Sequence, residues 1–103
     1  MESATGMKAL YIVSNAGYSE VITDILRAAG AKGATIMHAR GEGTRHETFM
    51  GITLDHEREV IVSIVDDETA EKAMADIKEK AGWQTDVHGI CYTTPVDRVV
   101  GMR

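Results

Sequence analysis

The chain is short of cysteine, aromatic side chains, basic residues and long apolar runs, and each shortage removes a class of explanation. Its one cysteine, Cys91, has no partner for an internal disulfide, and no spacing resembles a zinc pattern. A reducing, cytoplasmic setting and no bound metal are therefore expected. No apolar stretch approaches membrane-spanning length, and Met1-Glu2-Ser3-Ala4-Thr5-Gly6 has neither the basic end nor the apolar stretch of an export signal. Eleven Lys and Arg against 16 Asp and Glu leave a formal charge of -5, which argues against nucleic acid as a partner. A local basic site for a small anion is still compatible with that balance.

What is present is one pattern used twice. In the first copy, Ala9 to Val13 reads as a strand, residues 17–29 as a helix and residues 34–40 as a second strand. Tyr18, Val21, Ile22, Ile25, Leu26 and Ala29 share one face of a 3.6-residue helix, and Gly30 supplies a left-handed stop. In the second copy, residues 59–65 form a strand, residues 67–81 a helix, and residues 89–102 a last strand region. Its helical stripe is Ala70, Ala73, Met74, Ile77 and Ala81, opened by Asp66-Asp67-Glu68 and closed by Gly82.

Joined head to tail, the copies make β-α-β-β-α-β, an α+β domain with both helices on one face of an antiparallel sheet. The most apolar runs, around Leu10-Tyr11-Ile12-Val13 and Val60-Ile61-Val62, belong inside the sheet. The runs with Thr35, His38 and Arg40, or Thr93, Thr94 and Pro95, suit its edges. At 103 residues there is room for one core, with residues 1–6 as a flexible tail and 7–103 as the folded domain. The inner strands are apolar at both alternating sets of positions, so the face without helices is expected to meet another copy of the chain.

Residues 41–57 are about seventeen where a tight hairpin needs two to five, which marks them as the functional segment. Arg40-Gly41-Glu42-Gly43 permits a backbone turn with free amides, and Arg45 and His46 can reach an anion or a partner from the same loop. A lone Gly-x-Gly is equally well a plain turn. Phe49 and Met50 either cover the base of the loop or are offered to a partner.

The order Lys32-Gly33-Ala34-Thr35-Ile36, then Arg40-Gly41-Glu42-Gly43, then Thr94-Pro95-Val96-Asp97-Arg98-Val99-Val100 resembles the PII nitrogen-regulatory protein family over nearly the whole chain. The resemblance implies a ferredoxin-like fold, a homotrimer with adenine nucleotides in clefts between subunits, and a long T-loop that docks on a membrane transporter or metabolic enzyme. It places ligand contacts at Thr35, Gly41, Gly43, Gly89 and Arg103, and partner contacts at Arg45, His46, Phe49 and Met50.

Departures from that pattern bear on the ligand. Ile90 stands where a phosphate-binding lysine is typical, Gly101 where a C-terminal arginine is, and only Arg58 lies near the position of a further lysine. The central loop is shorter and has no tyrosine between Gly41 and Glu57, which leaves no site for tyrosine uridylylation. A hydrogen bond to a charged group is worth about 1.5–3 kcal/mol, and about 1.4 kcal/mol is tenfold in affinity. Losing two cations therefore argues against simple ATP binding and leaves AMP, ADP, another small anion or no nucleotide as the candidates.

Plainer roles suit most other polar residues: His38 and His56 as ordinary surface groups, Cys91 as a small buried side chain, Asp97 and Arg98 in structural ion pairs across a subunit boundary or with each other's neighbours, and Trp83 folded over the end of the second helix. Two other functions fit the element order. An ACT-type amino-acid-binding module matches the turn Ser14-Asn15-Ala16-Gly17 faintly but does not account for the long loop. An acylphosphatase-like enzyme needs an arginine in the first strand-helix turn, where residues 14–18 have none, and no nucleophile–base pair is evident.

Overall fold

Alternation of buried and open positions makes Met7–Asn15 a strand, and in the computed structural model, which describes residues 2–3, 6–41, 47–49, 52–54 and 56–101, it lies inside a four-stranded antiparallel sheet. The elements in chain order are β1 (Glu2–Ser3), β2 (Met7–Asn15), α1 (Ser19–Ala29), β3 (Thr35–Gly41), β4 (Glu47–Phe49), β5 (Ile52–Leu54), β6 (His56–Asp66), α2 (Asp67–Ala81), β7 (Ile90–Pro95) and β8 (Arg98–Val99). The sheet order is β3-β6-β2-β7. The two most apolar strands are thus inside and the two polar ones at the edges, as the sequence implies.

Register decides which residues face the helices. Ile12 stands opposite Ile61 and Cys91, and Ile61 opposite Ile36, so these side chains share the helix face. There Leu10, Ile12 and Ile61 pack with Ile22, Leu26 and Ile77 in one fully buried core. The opposite face carries Tyr11, Val62 and Tyr92 in one row and Val13, Val60 and Ile90 in the next. No helix covers it: Tyr92 and Ile90 are 48% and 49% exposed, and the rings of Tyr11 and Tyr92 stack with centroids 5.1 Å apart.

Helix ends follow local chemistry. Gly30 adopts φ 112°, and its N–H and that of Ala31 close α1 onto the Arg27 and Leu26 carbonyls. At α2, Asp66 caps with Oδ1 accepting from the Thr69 N–H at 2.7 Å. The bonds from Thr69 hold the Asp66 carboxyl below its ordinary range.

Three boundaries differ from the sequence reading. β2 and β6 run further than their apolar cores because backbone pairing continues to Asn15 and Arg58. The last strand region divides into β7 and β8, and β8 pairs with β1 through Glu2–Val99 and Ser3–Arg98. The long central segment is not loop throughout: Glu47–Phe49 pairs with Ile52–Leu54 as a separate two-stranded hairpin. Among the described residues no helix is long and apolar enough to cross a membrane.

Candidate functional site

Thr35 opens β3 directly across from Val62, at the point where β6 runs on without its outer neighbour. The strand edge left bare there becomes one wall of a cleft of about 430 Å³, with Lys32, Gly33 and Ala34 on one side and Val99, Val100 and Gly101 on the other. Val62, Ser63 and Ile64 line it as well. The Ser63 hydroxyl donates to the Gly33 carbonyl at 2.6 Å, which fastens the residue 31–34 connection against β6 and shapes that wall. The cleft is largely apolar, with backbone and the Thr35 and Ser63 hydroxyls as its neutral polar groups and Lys32 as its cation.

A second group of elements meets at the other end of the sheet. There β3 runs out toward Gly41, paired with His56, and a concavity of about 360 Å³ is lined by His38, Ala39, Arg40, Glu57 and Arg58. Next to it, on the far side of β2, residues 82–89 connect α2 to β7. That connection is built rigidly. The Gly89 N–H donates to the Ala81 carbonyl at 2.7 Å, and the Thr85 hydroxyl donates to the Gly82 carbonyl at 2.8 Å. The Asn15 side chain donates to the Asp86 carbonyl at 3.0 Å, and its backbone N–H to the Val87 carbonyl at 2.9 Å.

Two residues of this connection stand out. His88 has φ 52°, a left-handed backbone that a non-glycine residue adopts at a cost. Trp83 is 60% exposed, with its ring tilted 5.0 Å from the His88 ring. Trp83 is thus largely open to solvent beside His88 rather than buried, and the turn before it needs glycine, because a Cβ on Gly82 would sit 2.7 Å from the Lys78 carbonyl.

Glu59 was not singled out by the sequence reading. It is 4% exposed, on the helix face of β6 beside Ile61, and its Oε1 accepts from the Gly17 N–H at 2.5 Å. The bond ties the turn that leads into α1 to β6; the N-cap of α1, Tyr18, makes no side-chain cap bond. A charged residue at an apolar position of a strand was the signal available. Cys91 is half-buried beside Met74, Ile77 and Gly89, and burial pushes its thiol up. Asp97 and Arg98, neighbours in sequence, approach one another on the surface, Oδ2 to Nε, at 3.8 Å.

The candidate residues thus divide. Thr35 belongs to the first cleft, while Gly41 and Gly89 lie at the far end of the sheet. Thr35 and Gly41 are six residues apart along an extended strand, roughly 20 Å, so one chain does not bring them into a single cavity. Phe49 lies in β4 opposite Ile52. Gly43, Arg45, His46, Met50 and Arg103 lie outside the described residues.

Comparison with known proteins agrees with this architecture. The family model described as Nitrogen regulatory protein P-II matches residues 7–103. No curated protein sequence matches the chain. Among solved structures, the chain is similar to a PII-like signaling protein from Thermus thermophilus, with 26% identity and TM-score 0.71 over 92% of this chain and 91% of that one. It shares its fold with CPII, a nitrogen regulatory PII-like protein from Thiomonas intermedia bound to ADP, AMP and bicarbonate (20% identity, TM-score 0.70, 93% and 96% covered). The GlnK–ATP complex of B. subtilis is similar in fold at 16% identity, TM-score 0.67, with 87% and 84% covered.

Proposed function

The chain belongs to the P-II nitrogen regulatory protein family, and from that premise we propose that it is a non-catalytic regulator sensing a small metabolite in clefts between copies of itself. Its output is control of a transporter or enzyme through the central hairpin. One observation carries this reading: Val62 and Ile64 belong at once to the uncovered apolar sheet face and to the wall of the Thr35 cleft. Association of copies through that face, a homotrimer in this family, therefore closes the cleft.

Closure also supplies what a single chain lacks. A neighbouring copy brings its own residues 82–89 and strand ends, with Gly41 and Gly89, to the cleft that Thr35 borders; Gly43 and Arg103 are assigned to the same ligand by the family pattern alone. The 82–89 connection offers backbone amides, and the Thr35 cleft offers an apolar slot, which together suit a planar base with a phosphate tail. Ile90 and Gly101 in place of two cations favour AMP or ADP over ATP, and relatives of this fold bound to ADP, AMP and bicarbonate make bicarbonate the further candidate.

Calorimetric titration of the assembled protein with AMP, ADP, ATP and bicarbonate tests the proposal. ADP or AMP is expected to bind more tightly than ATP, and Arg103→Ala to weaken binding about tenfold or more, since hydrogen bonds to charged groups are worth about 1.5–3 kcal/mol. Absence of heat with all four, at millimolar ligand, overturns the metabolite assignment.

A further inference from the structure

The turn between β2 and α1 is bonded to two separate elements at once. Toward the central hairpin, the Arg58 Nη1 donates to Asn15 Oδ1, the Ala16 N–H donates to the Glu57 carbonyl at 3.1 Å, and the Gly17 N–H donates to Glu59 at 2.5 Å. Toward the 82–89 connection, Asn15 Nδ2 donates to the Asp86 carbonyl and the Asn15 N–H to the Val87 carbonyl. Asn15 is the one residue of these that reaches both sides with the same side chain. Its amide cannot be turned over: the guanidinium is only a donor and the Asp86 carbonyl only an acceptor, so the oxygen must face Arg58 and the nitrogen Asp86.

We propose that Asn15 is a positioning residue that couples the 82–89 connection to the base of the central hairpin. The chemistry is a fixed relay, guanidinium to amide oxygen and amide nitrogen to loop carbonyl, held on a half-buried side chain at the last register position of β2 and β6. A shift of the loop carbonyls moves the amide, and the amide moves Arg58 on the strand that leaves the hairpin. The relay itself needs no ligand. Its use, carrying occupancy of the cleft to the hairpin, rests on the regulator reading above.

Two links of the relay are cut separately and followed by amide hydrogen exchange in the ligand-free assembly. Arg58→Ala removes only the hairpin-side partner, yet is expected to speed exchange at Thr85 and His88, whose amides donate to Gly82 and Thr85 carbonyls, about fivefold or more. Arg58→Lys, which keeps a donor, should recover part of that protection. Asn15→Asp keeps an acceptor for Arg58 and loses the donor to Asp86, so it should loosen the connection while leaving the Ala16 and Gly17 amides protected. Exchange at Thr85 and His88 within twofold of wild type in Arg58→Ala, with the thermal midpoint unchanged, overturns the coupling. A second arm adds ADP: in wild type it alters exchange in Glu47–Phe49 and Ile52–Leu54, and in Asn15→Asp, which cuts the relay on the loop side, it binds within threefold of wild type without altering them. Loss of ADP binding in Asn15→Asp, or hairpin exchange that still responds to ADP in it, also overturns the proposal. If wild-type hairpin exchange ignores ADP while the ligand-free result holds, the relay stands and the ADP regulator reading fails.

Discussion

Gly89 lies so close to the end of α2 that a Cβ on it would sit 2.3 Å from the Ala81 carbonyl oxygen, and its own N–H donates to that oxygen at 2.7 Å. The glycine is thus required for the approach of the connection to the helix, before any ligand is considered. Gly89→Ala should force the backbone apart and destabilise the protein by about 1–3 kcal/mol, the range for overpacking a tight contact. Denaturant unfolding checks this. An unchanged midpoint would mean the contact relaxes freely and would return Gly89 to a purely ligand-binding role.

The uncovered face makes the second prediction. With Tyr11, Val62 and Tyr92 across its centre, the wild-type protein should scatter light as an assembly of about three times the 11.2 kDa chain. Val62→Asp should give a folded monomer, because a carboxylate is hydrated on the open face of one chain but loses that hydration between copies. A wild-type monomer at micromolar concentration would leave the Thr35 cleft open and remove the intersubunit site.

Much of this was legible in the chain because periodicity reports burial. Ile22, Leu26 and Ile77 fall on helical stripes, and Leu10, Ile12 and Ile61 alternate along strands, so the core and the strand order follow from them. Glu59 and Asn15 were less legible. The Gly17 bond to Glu59 spans 42 residues and the Asn15 bond to Asp86 spans 71, and no local spacing encodes contacts that only the folded topology creates. The hairpin Glu47–Phe49 with Ile52–Leu54 was hidden for another reason: its strands are short and carry Thr and Glu, so they read as polar loop.

Asp66 gives the fold a defined response to acid. The Thr69 bonds lower its folded-state pKa relative to the unfolded chain, so their stabilisation is fully present above the ordinary carboxylate range and is lost as pH falls through the lowered value. Unfolding curves of wild type and Asp66→Asn should therefore differ most near neutrality, with wild type the more stable, and converge in acid. Parallel curves from neutrality down to about pH 3, below the ordinary aspartate range, would show that the charge on the cap contributes nothing.

The central hairpin makes the last prediction, because β4 and β5 pair with each other and not with the four-stranded sheet. Among the described side chains, the buried cluster from Leu10 to Val87 is built from the inner strands, the two helices and Val87. Removing residues 45–52 should therefore leave the assembly intact and shift the thermal midpoint by only a few degrees, as expected when less than about 1 kcal/mol is lost from a domain of this size. What should vanish is output: a partner retained by the immobilised wild-type protein should no longer be retained by the deletion variant. Unfolding on deletion would instead make the hairpin part of the scaffold. The same segment also holds the reading against an enzyme to account. Hydrolysis of nucleotides or phosphate esters at about 1 s⁻¹ or faster, the lower range of enzymic turnover, that fell with Arg45→Ala or His46→Ala would replace the regulator with a catalyst.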